Sequence, residues 1–332
     1  MQRSAPSAGS ARSLAAIALA MALSAAGCDD DAMGEAGRLG FAYSTAEGRV
    51  PATTPLAVGA RASLVLRSEP GLAFGAIISA ASLDPDTLAV VQTEPTFVIV
   101  KALAPGVTGV EVTAIVGEDG ERVRDTLTIE TREAERVSIA RACATSDGGP
   151  FLADSRIALP FEMTGEDGAA LTGWGFYPVE VAPPGAVEID PEASATIHLP
   201  LRTTGYLGQV DLSSSLGGEP LSLDVVSEGE IEGAFLEGGE RANEVVAGGS
   251  RDVRVVPIVR ERPLCQGEPG REVQVLTPEV CTIGQAAQRG SIDPSTLVRV
   301  EGLARGACQI AVRYPRAADG QGIGFTFTLD VI

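Results

Sequence analysis

The chain has 332 residues, 45% of them hydrophobic and only 4% aromatic, and 44 acidic against 25 basic residues set its net charge at −19. A surface this acidic repels nucleic acid and anionic headgroups, which argues against a nucleic-acid partner. Lys101 is the only lysine and Asn243 the only asparagine, so Lys–Asn isopeptide staples cannot recur along the chain.

The first segment reads as an address. Arg3 and Arg12 are the only charges before Cys28, and an apolar run extends from Leu14 to Ala26. A basic start, a short apolar stretch and small residues make a secretory signal over residues 1–27, too short to span a bilayer as a mature helix. Ala25-Ala26-Gly27-Cys28 resembles the lipobox of bacterial lipoproteins. The resemblance implies cleavage before Cys28 and acylation of that cysteine, making the lipid bilayer a partner. It points to a bacterial cell envelope, with the outer membrane preferred and the leaflet left open. Cleavage would lower the basic residues from 25 to 23 against 44 acidic ones, a net charge of −21. Asp29, Asp30, Asp31 and the Gly- and Ala-rich residues after them read as a solvated tether over 28–36.

From residue 37 onward the pattern is that of strands. Glycine (39) and proline (21) are plentiful, and no long stretch shows a 3.6-residue period, which predicts an all-β protein. Thr126–Glu130, Leu221–Val225 and Phe325–Val331 alternate polar and apolar residues, as period-2 strands with one buried face do. Each follows another alternating strand, marked by Val110, Val112 and Ala114, by Val210 and Leu212, and by Ile310, Val312 and Tyr314. Gly117-Glu118-Asp119-Gly120, Gly217-Gly218 and Asp319-Gly320 turn between the members of each pair, so three closing hairpins are predicted. An early strand recurs at Val58–Leu66, Ala247–Val255 and, more loosely, Phe151–Phe161. The copies are predicted at 37–132, 133–226 and 227–332, each the size of an immunoglobulin-like β-sandwich. Their charged junctions predict limited motion and few apolar contacts between copies.

Copy one contains Ser82-Leu83-Asp84-Pro85-Asp86-Thr87-Leu88, then Ala102-Leu103-Ala104-Pro105-Gly106 before the Val110 strand. Copy three contains Thr277-Pro278-Glu279-Val280-Cys281-Thr282-Ile283 and Gly302-Leu303-Ala304-Arg305-Gly306-Ala307-Cys308. Both resemble the bacterial Ig-like group 2 domain, copy three its cysteine-containing subtype; copy two matches through Gly205 and its last two strands. The resemblance implies three tandem sandwiches of seven strands that serve as spacers or adhesive modules, with no catalytic residues to carry over. It also implies a Cys281–Cys308 bridge with Val280, Ile283, Ile310 and Val312 on one buried layer. Four cysteines besides Cys28 allow three pairings. With Cys281 joined to Cys308, Cys143 and Cys265 would link copies two and three.

The residues able to carry chemistry are few. His198, the only histidine, alternates with Ile197 and Leu199 on a half-buried strand that Pro200 is expected to end or confine to an edge. A single histidine without a nucleophile motif gives poor support to a Ser–His or Cys–His enzyme. Trp174, Gly175, Phe176 and Tyr177 form the only aromatic cluster. Alternation predicts Trp174 and Phe176 inside a third strand and Tyr177 outside; a sugar-stacking platform is the alternative. Asp84, Asp86 and the Glu118-Asp119 and Glu166-Asp167 turns lack the spacing of a calcium loop, and no cysteine–histidine spacing suits zinc. No cofactor or metal is expected. Two functional readings remain: a non-enzymatic, membrane-anchored stalk, or a carbohydrate- or protein-binding lipoprotein with copy two as its binding unit and an envelope protein or polysaccharide as partner.

Overall fold

The computed structural model describes residues 31–68, 73–143, 148–237, 243–284, 293–315 and 322–332. The signal segment, Cys28 and the Asp319-Gly320 turn lie outside these residues. Strands make three successive units. The first holds β1 (Ala32–Met33), β2 (Leu39–Thr45), β3 (Gly48–Pro51), β4 (Leu56–Ala57) and β5 (Arg61–Ser68). It continues with β6 (Phe74–Ser82), β7 (Leu88–Thr93), β8 (Phe97–Ala102), β9 (Gly106–Val116) and β10 (Glu121–Arg132). The second unit comprises β11 (Arg136–Ile139), β12 (Phe151–Leu152), β13 (Arg156–Thr164), β14 (Ala170–Leu171) and β15 (Val179–Ala182). To these it adds β16 (Val187–Ile189), β17 (His198–Thr203), β18 (Gly208–Ser214) and β19 (Leu221–Val226). The third begins with β20 (Ile231–Glu237), β21 (Glu244–Val245), β22 (Ser250–Val259), β23 (Arg262–Pro263) and β24 (Glu272–Val275). It ends with β25 (Cys281–Gly284), β26 (Thr296–Gly302), β27 (Gly306–Tyr314) and β28 (Ile323–Val331).

Each unit is a sandwich of two sheets. One sheet runs β1-β2-β5-β8-β7 in unit 1, β11-β13-β17-β16 in unit 2 and β20-β22-β26-β25 in unit 3. The facing sheet runs β4-β10-β9-β6, β12-β19-β18-β15 and β21-β28-β27-β24. The protein is therefore all-β, a tandem of β-sandwiches. Period-2 alternation explains the strand faces: in β13, Ile157, Leu159, Phe161 and Met163 are buried while Arg156 and Glu162 are exposed. The closing hairpins are β9–β10, β18–β19 and β27–β28.

Two expectations need correction here. Residues 32–36, read as tether, belong to unit 1: β1 pairs with β2, and the Glu35 N–H donates to the Thr126 carbonyl at 2.9 Å. The cause is Asp125, which points into the sandwich from β10 among apolar neighbours. Its carboxylate accepts the backbone N–H groups of Ala36, Arg38 and Thr126 at 2.8 Å and of Leu39 at 2.9 Å. The second correction concerns Val312. Cys281 on β25 and Cys308 on β27 bridge the two sheets of unit 3, with Cα atoms 5.6 Å apart. Ile310 packs in their cluster with Val280 and Ile283 against it, but Val312 joins a separate cluster with Tyr314, Val226 and Leu152. The inward residues of β27 run the length of the sandwich, so Val312 reaches the end that faces unit 2.

Asp125 makes a test of how unit 1 is closed. Burial pushes its pKa up, but the backbone N–H groups of Ala36, Leu39, Arg38 and Thr126 prevail and hold it below the usual aspartate range. Asp125→Ala should destabilise the chain by about 2–4 kcal/mol in denaturant titration, because it orphans buried donors. It should also speed tryptic cleavage after Arg38. In the parent chain, the depressed folded pKa means this stabilisation is complete above about pH 4 and lost as pH falls through the folded value.

Candidate functional site

The side chains singled out by sequence collect where one sandwich meets the next. At the first joint, the connection after β13 leaves unit 2 and lies along the start of β5. The Thr172 N–H donates to the Pro55 carbonyl, and the Thr172 carbonyl accepts the Ala57 N–H, both at 2.9 Å. Arg61 and Trp174 exchange backbone hydrogen bonds of 2.8 and 2.9 Å. Between these pairs Gly173 has φ +123°, and a Cβ there would stand 2.6 Å from the Ala60 Cβ and 2.8 Å from the Leu56 Cδ1. Only glycine combines that backbone with so close an approach.

The aromatic cluster is consumed by this joint. Trp174 is 6% exposed and belongs to no strand; the Arg61 guanidinium lies 5.3 Å from its ring centroid. Its indole N–H is buried without a hydrogen-bond partner among the described residues. Phe176 packs against Gly59 of unit 1 rather than inside unit 2. Tyr177, expected outside, meets Phe161 edge-on at 5.4 Å and donates its hydroxyl to the Ala195 carbonyl at 2.8 Å. Burial pushes its phenol up to about 12. Trp174 is buried as expected but in no strand, and Phe176 and Tyr177 depart from alternation, because the segment is an excursion between strands with glycines at 173 and 175 that break the pleat.

His198 also faces unit 1. Its Nδ1 lies 3.2 Å from the Glu47 Oε1, and the Thr196 N–H donates to the same carboxylate at 3.2 Å. Burial raises the Glu47 pKa, but hydrogen bonds from His198, its own N–H, Thr196 and Thr45 prevail and hold it below the usual range. Pro200 neither ends β17 nor confines it to an edge: β17 lies between β13 and β16. The Pro200 carbonyl accepts the Asp190 N–H, so its nitrogen faces the side where β16 stops at Ile189, and no ladder bond is lost.

The second joint repeats the first. The connection after β22 brings Gln266 alongside Phe151; the Leu152 N–H donates to the Gln266 carbonyl at 3.0 Å and the Cys265 N–H to the Pro150 carbonyl at 2.7 Å. Gly267, at φ +132°, takes the place of Gly173, and a Cβ there would overlap that of Leu152. The Gln266 amide is buried. It donates to the carbonyls of Ala142 and Ala158 at 2.6 and 2.9 Å and accepts the Ala158 N–H at 2.8 Å. Cys143 and Cys265 form a disulfide across this joint, with Cα atoms 4.5 Å apart. Arg262 adds bonds to the Gly148 carbonyl at 2.7 Å and to Asp224 at 3.2 Å.

Both joints have apolar interiors, contrary to the expectation of few apolar contacts. One buried cluster runs through units 1 and 2 and takes in Cys265; another packs Leu152 and Val226 against Ile231, Val255 and Leu264. Sequence reading missed Gly173, Gln266, Gly267 and Glu47. Its available signal was a repeat outside the strands, with Pro55-Leu56 and Pro150-Phe151 each matched by a later residue–glycine step, Thr172-Gly173 and Gln266-Gly267.

Open hollows among the described residues include two with charged side chains in their linings. One of ≈ 740 Å³ lies at the first joint beside Arg132, Glu133, Glu135 and Asp167. The other, ≈ 480 Å³, lies on unit 2 beside Arg156, Glu188, Asp190 and Arg202. Neither lining sets a serine, threonine or cysteine beside a base. Among the described residues no group of three or more His, Cys, Asp or Glu side chains is placed to hold a metal ion, and no helix is long and apolar enough to cross a membrane.

No family model matches the chain, and no curated protein matches it. Among solved structures it is similar to domains 4 and 5 of the S-layer protein SbsC, at 14% identity, covering 52% of this chain and 90% of that one with a TM-score of 0.23. It is similar to invasin, a bacterial integrin-binding protein, at 10% identity, covering 89% and 60% with a TM-score of 0.23. It is also similar to an endo-fucoidan hydrolase of glycoside hydrolase family 107, at 11% identity, covering 84% and 43% with a TM-score of 0.24. The chain spans about half the length of the larger SbsC fragment of domains 4–9, 48%.

Two tests follow from the joints. Trp174 is the only tryptophan, so its emission reports on the first joint alone. Gly173→Val should shift that emission to the red under native conditions while leaving far-UV circular dichroism unchanged; an unshifted spectrum would refute the steric argument. Replacing Cys143 and Cys265 together by alanine should lower stability by up to roughly 5 kcal/mol, the chain-entropy figure for a loop closed over 122 residues. Hydrogen exchange at Leu152 and Ala158 should still be slow, because the Gln266 bonds survive the change.

Proposed function

We propose that this protein is a non-enzymatic, lipid-anchored spacer of the bacterial cell envelope that holds an interaction surface at a fixed distance and angle from a membrane. The observation that carries the reading is the construction of the joints. Each combines paired backbone, a glycine with no room for a side chain, buried apolar packing and, at the second, a disulfide. Short charged linkers alone would limit motion without fixing an angle. Here the segment between β10 and β11 is clasped by Arg132, which reaches Asp167 at 2.7 Å. Such stiffness suits a part whose work is geometric.

The anchor belongs to the same reading. With Cys28 acylated, only two residues separate it from Asp31, three residue steps that span about 11 Å at full extension. Asp31 lies beside Arg67 and Arg49 at 3.6 and 3.9 Å, so unit 1 begins close to the bilayer. Each acyl methylene adds about 0.8 kcal/mol of membrane affinity, and two or more chains hold stably. Two disulfides fit an oxidising compartment outside the cytoplasm. The envelope partner, protein or polysaccharide, would then meet the outward units.

Cys28→Ala tests the anchor. The variant should move from the detergent-dependent membrane fraction to the soluble fraction with unchanged thermal stability. A variant that still partitions wholly with membranes would reject lipid anchoring through Cys28.

A further inference from the structure

The two joints share one receiving edge, and unit 3 carries a third copy of it that no described residue occupies. In each unit a short strand pairs in parallel with the closing strand: Leu56 with Thr131, Phe151 with Val225 and Val245 with Val331. The next hydrogen bond also repeats, from the N–H groups of Val58, Ala153 and Ala247 to the carbonyls of Arg132, Val226 and Ile332. Ala57, Leu152 and Val246 are therefore equivalent. The first two donate their N–H to the connection of the following unit and are 0% and 2% exposed. Val246 is 64% exposed, with no partner for its N–H among the described residues. The carbonyl of Glu244, in the place of Pro55 and Pro150, accepts the Arg251 guanidinium at 2.8 Å, a side chain standing where a backbone donor stands at both joints. An exposed β-branched residue on an open strand edge is a template for strand addition.

We propose that the Glu244–Val246 edge docks a β-sandwich unit of a second protein, which inserts an extended connection carrying a residue–glycine step with the glycine at positive φ. The occupant's chemistry is read from the two occupied copies: Thr172-Gly173 on Pro55–Ala57 and Gln266-Gly267 on Pro150–Leu152. A second copy of this chain does not supply it. Its own inserting segments are buried in its joints, and the connection from β5 to β6 in unit 1 runs only from residue 69 to 73. The proposal names the partner class for the spacer reading and rests on that reading.

The test uses the full chain and a synthetic peptide copying residues 169–177, with a scrambled peptide as control. Peptide at about ten times its Kd should slow hydrogen exchange of the Val246 amide about tenfold, and the scrambled peptide should not. Val246→Asp, which keeps the donor but charges the edge, should weaken the protection, and Val246→Pro, which removes the donor, should weaken peptide binding measured by calorimetry, both without lowering Tm. No protection at millimolar peptide, equal protection in Val246→Asp, or undiminished peptide affinity in Val246→Pro would overturn the proposal. Protection that rises with chain concentration in the absence of peptide would replace the foreign unit by a second copy and overturn it too. The Cys28→Ala variant should bind the peptide like the parent, so a failed anchor and a failed edge are told apart.

Discussion

The structure depends on a backbone that has to be completed from outside its own unit. A two-residue strand such as Leu56–Ala57 pairs on one side with β10 and leaves a donor and an acceptor on the other. Buried, those groups would cost about 1–3 kcal/mol each if left unpaired. Units 1 and 2 satisfy them with a segment of the following unit, at φ values only glycine adopts easily. Orientation is thereby fixed by hydrogen-bond direction. Apolar packing adds strength but is non-directional, and could not by itself select one angle between two sandwiches.

Connection length decides which unit inserts. Between β13 and β15 the chain uses residues 165–178, and between β22 and β24 residues 260–271, long enough to leave one sandwich and return. In unit 1 the equivalent connection, from β5 to β6, is short. Its free edge is covered otherwise: β1 and β3 both pair with β2. Position along the chain is thus encoded in a loop, while the sandwich itself is repeated with little change.

How far this was legible in the sequence follows from which interactions leave a periodic trace. Strands such as β10 and β13 show theirs, because one face meets the core and the other water. The hairpins and the early strand could be placed for the same reason. The joints leave no period. Trp174 looked like a strand residue because its neighbours are apolar, yet it and Phe176 face a different unit. Asp125 was invisible for the opposite reason: an acidic residue at an inward position reads as an interruption until the N–H groups of Ala36, Arg38 and Leu39 are seen to converge on it. Gln266 likewise reads as an ordinary polar loop residue, although its amide completes both hydrogen-bonding groups of Ala158.

The charge pattern completes the argument about stiffness. A chain with net charge −19 should push its own units apart, and the few arginines are placed against that tendency. Arg61 reaches Glu192 and Arg132 reaches Asp167 across the first joint, while Arg260 and Arg262 both reach Asp224 across the second. Exposed pairs of this kind contribute about 0–1 kcal/mol each, too little to hold sandwiches together. Their effect is to neutralise acidic side chains where two surfaces must come close, so that the buried backbone pairing is not opposed. Salt would weaken these pairs and the repulsion together, since both act through solvent within a screening length of about 8–10 Å. A joint held mainly by buried hydrogen bonds and apolar contacts should then keep its angle across a wide range of ionic strength.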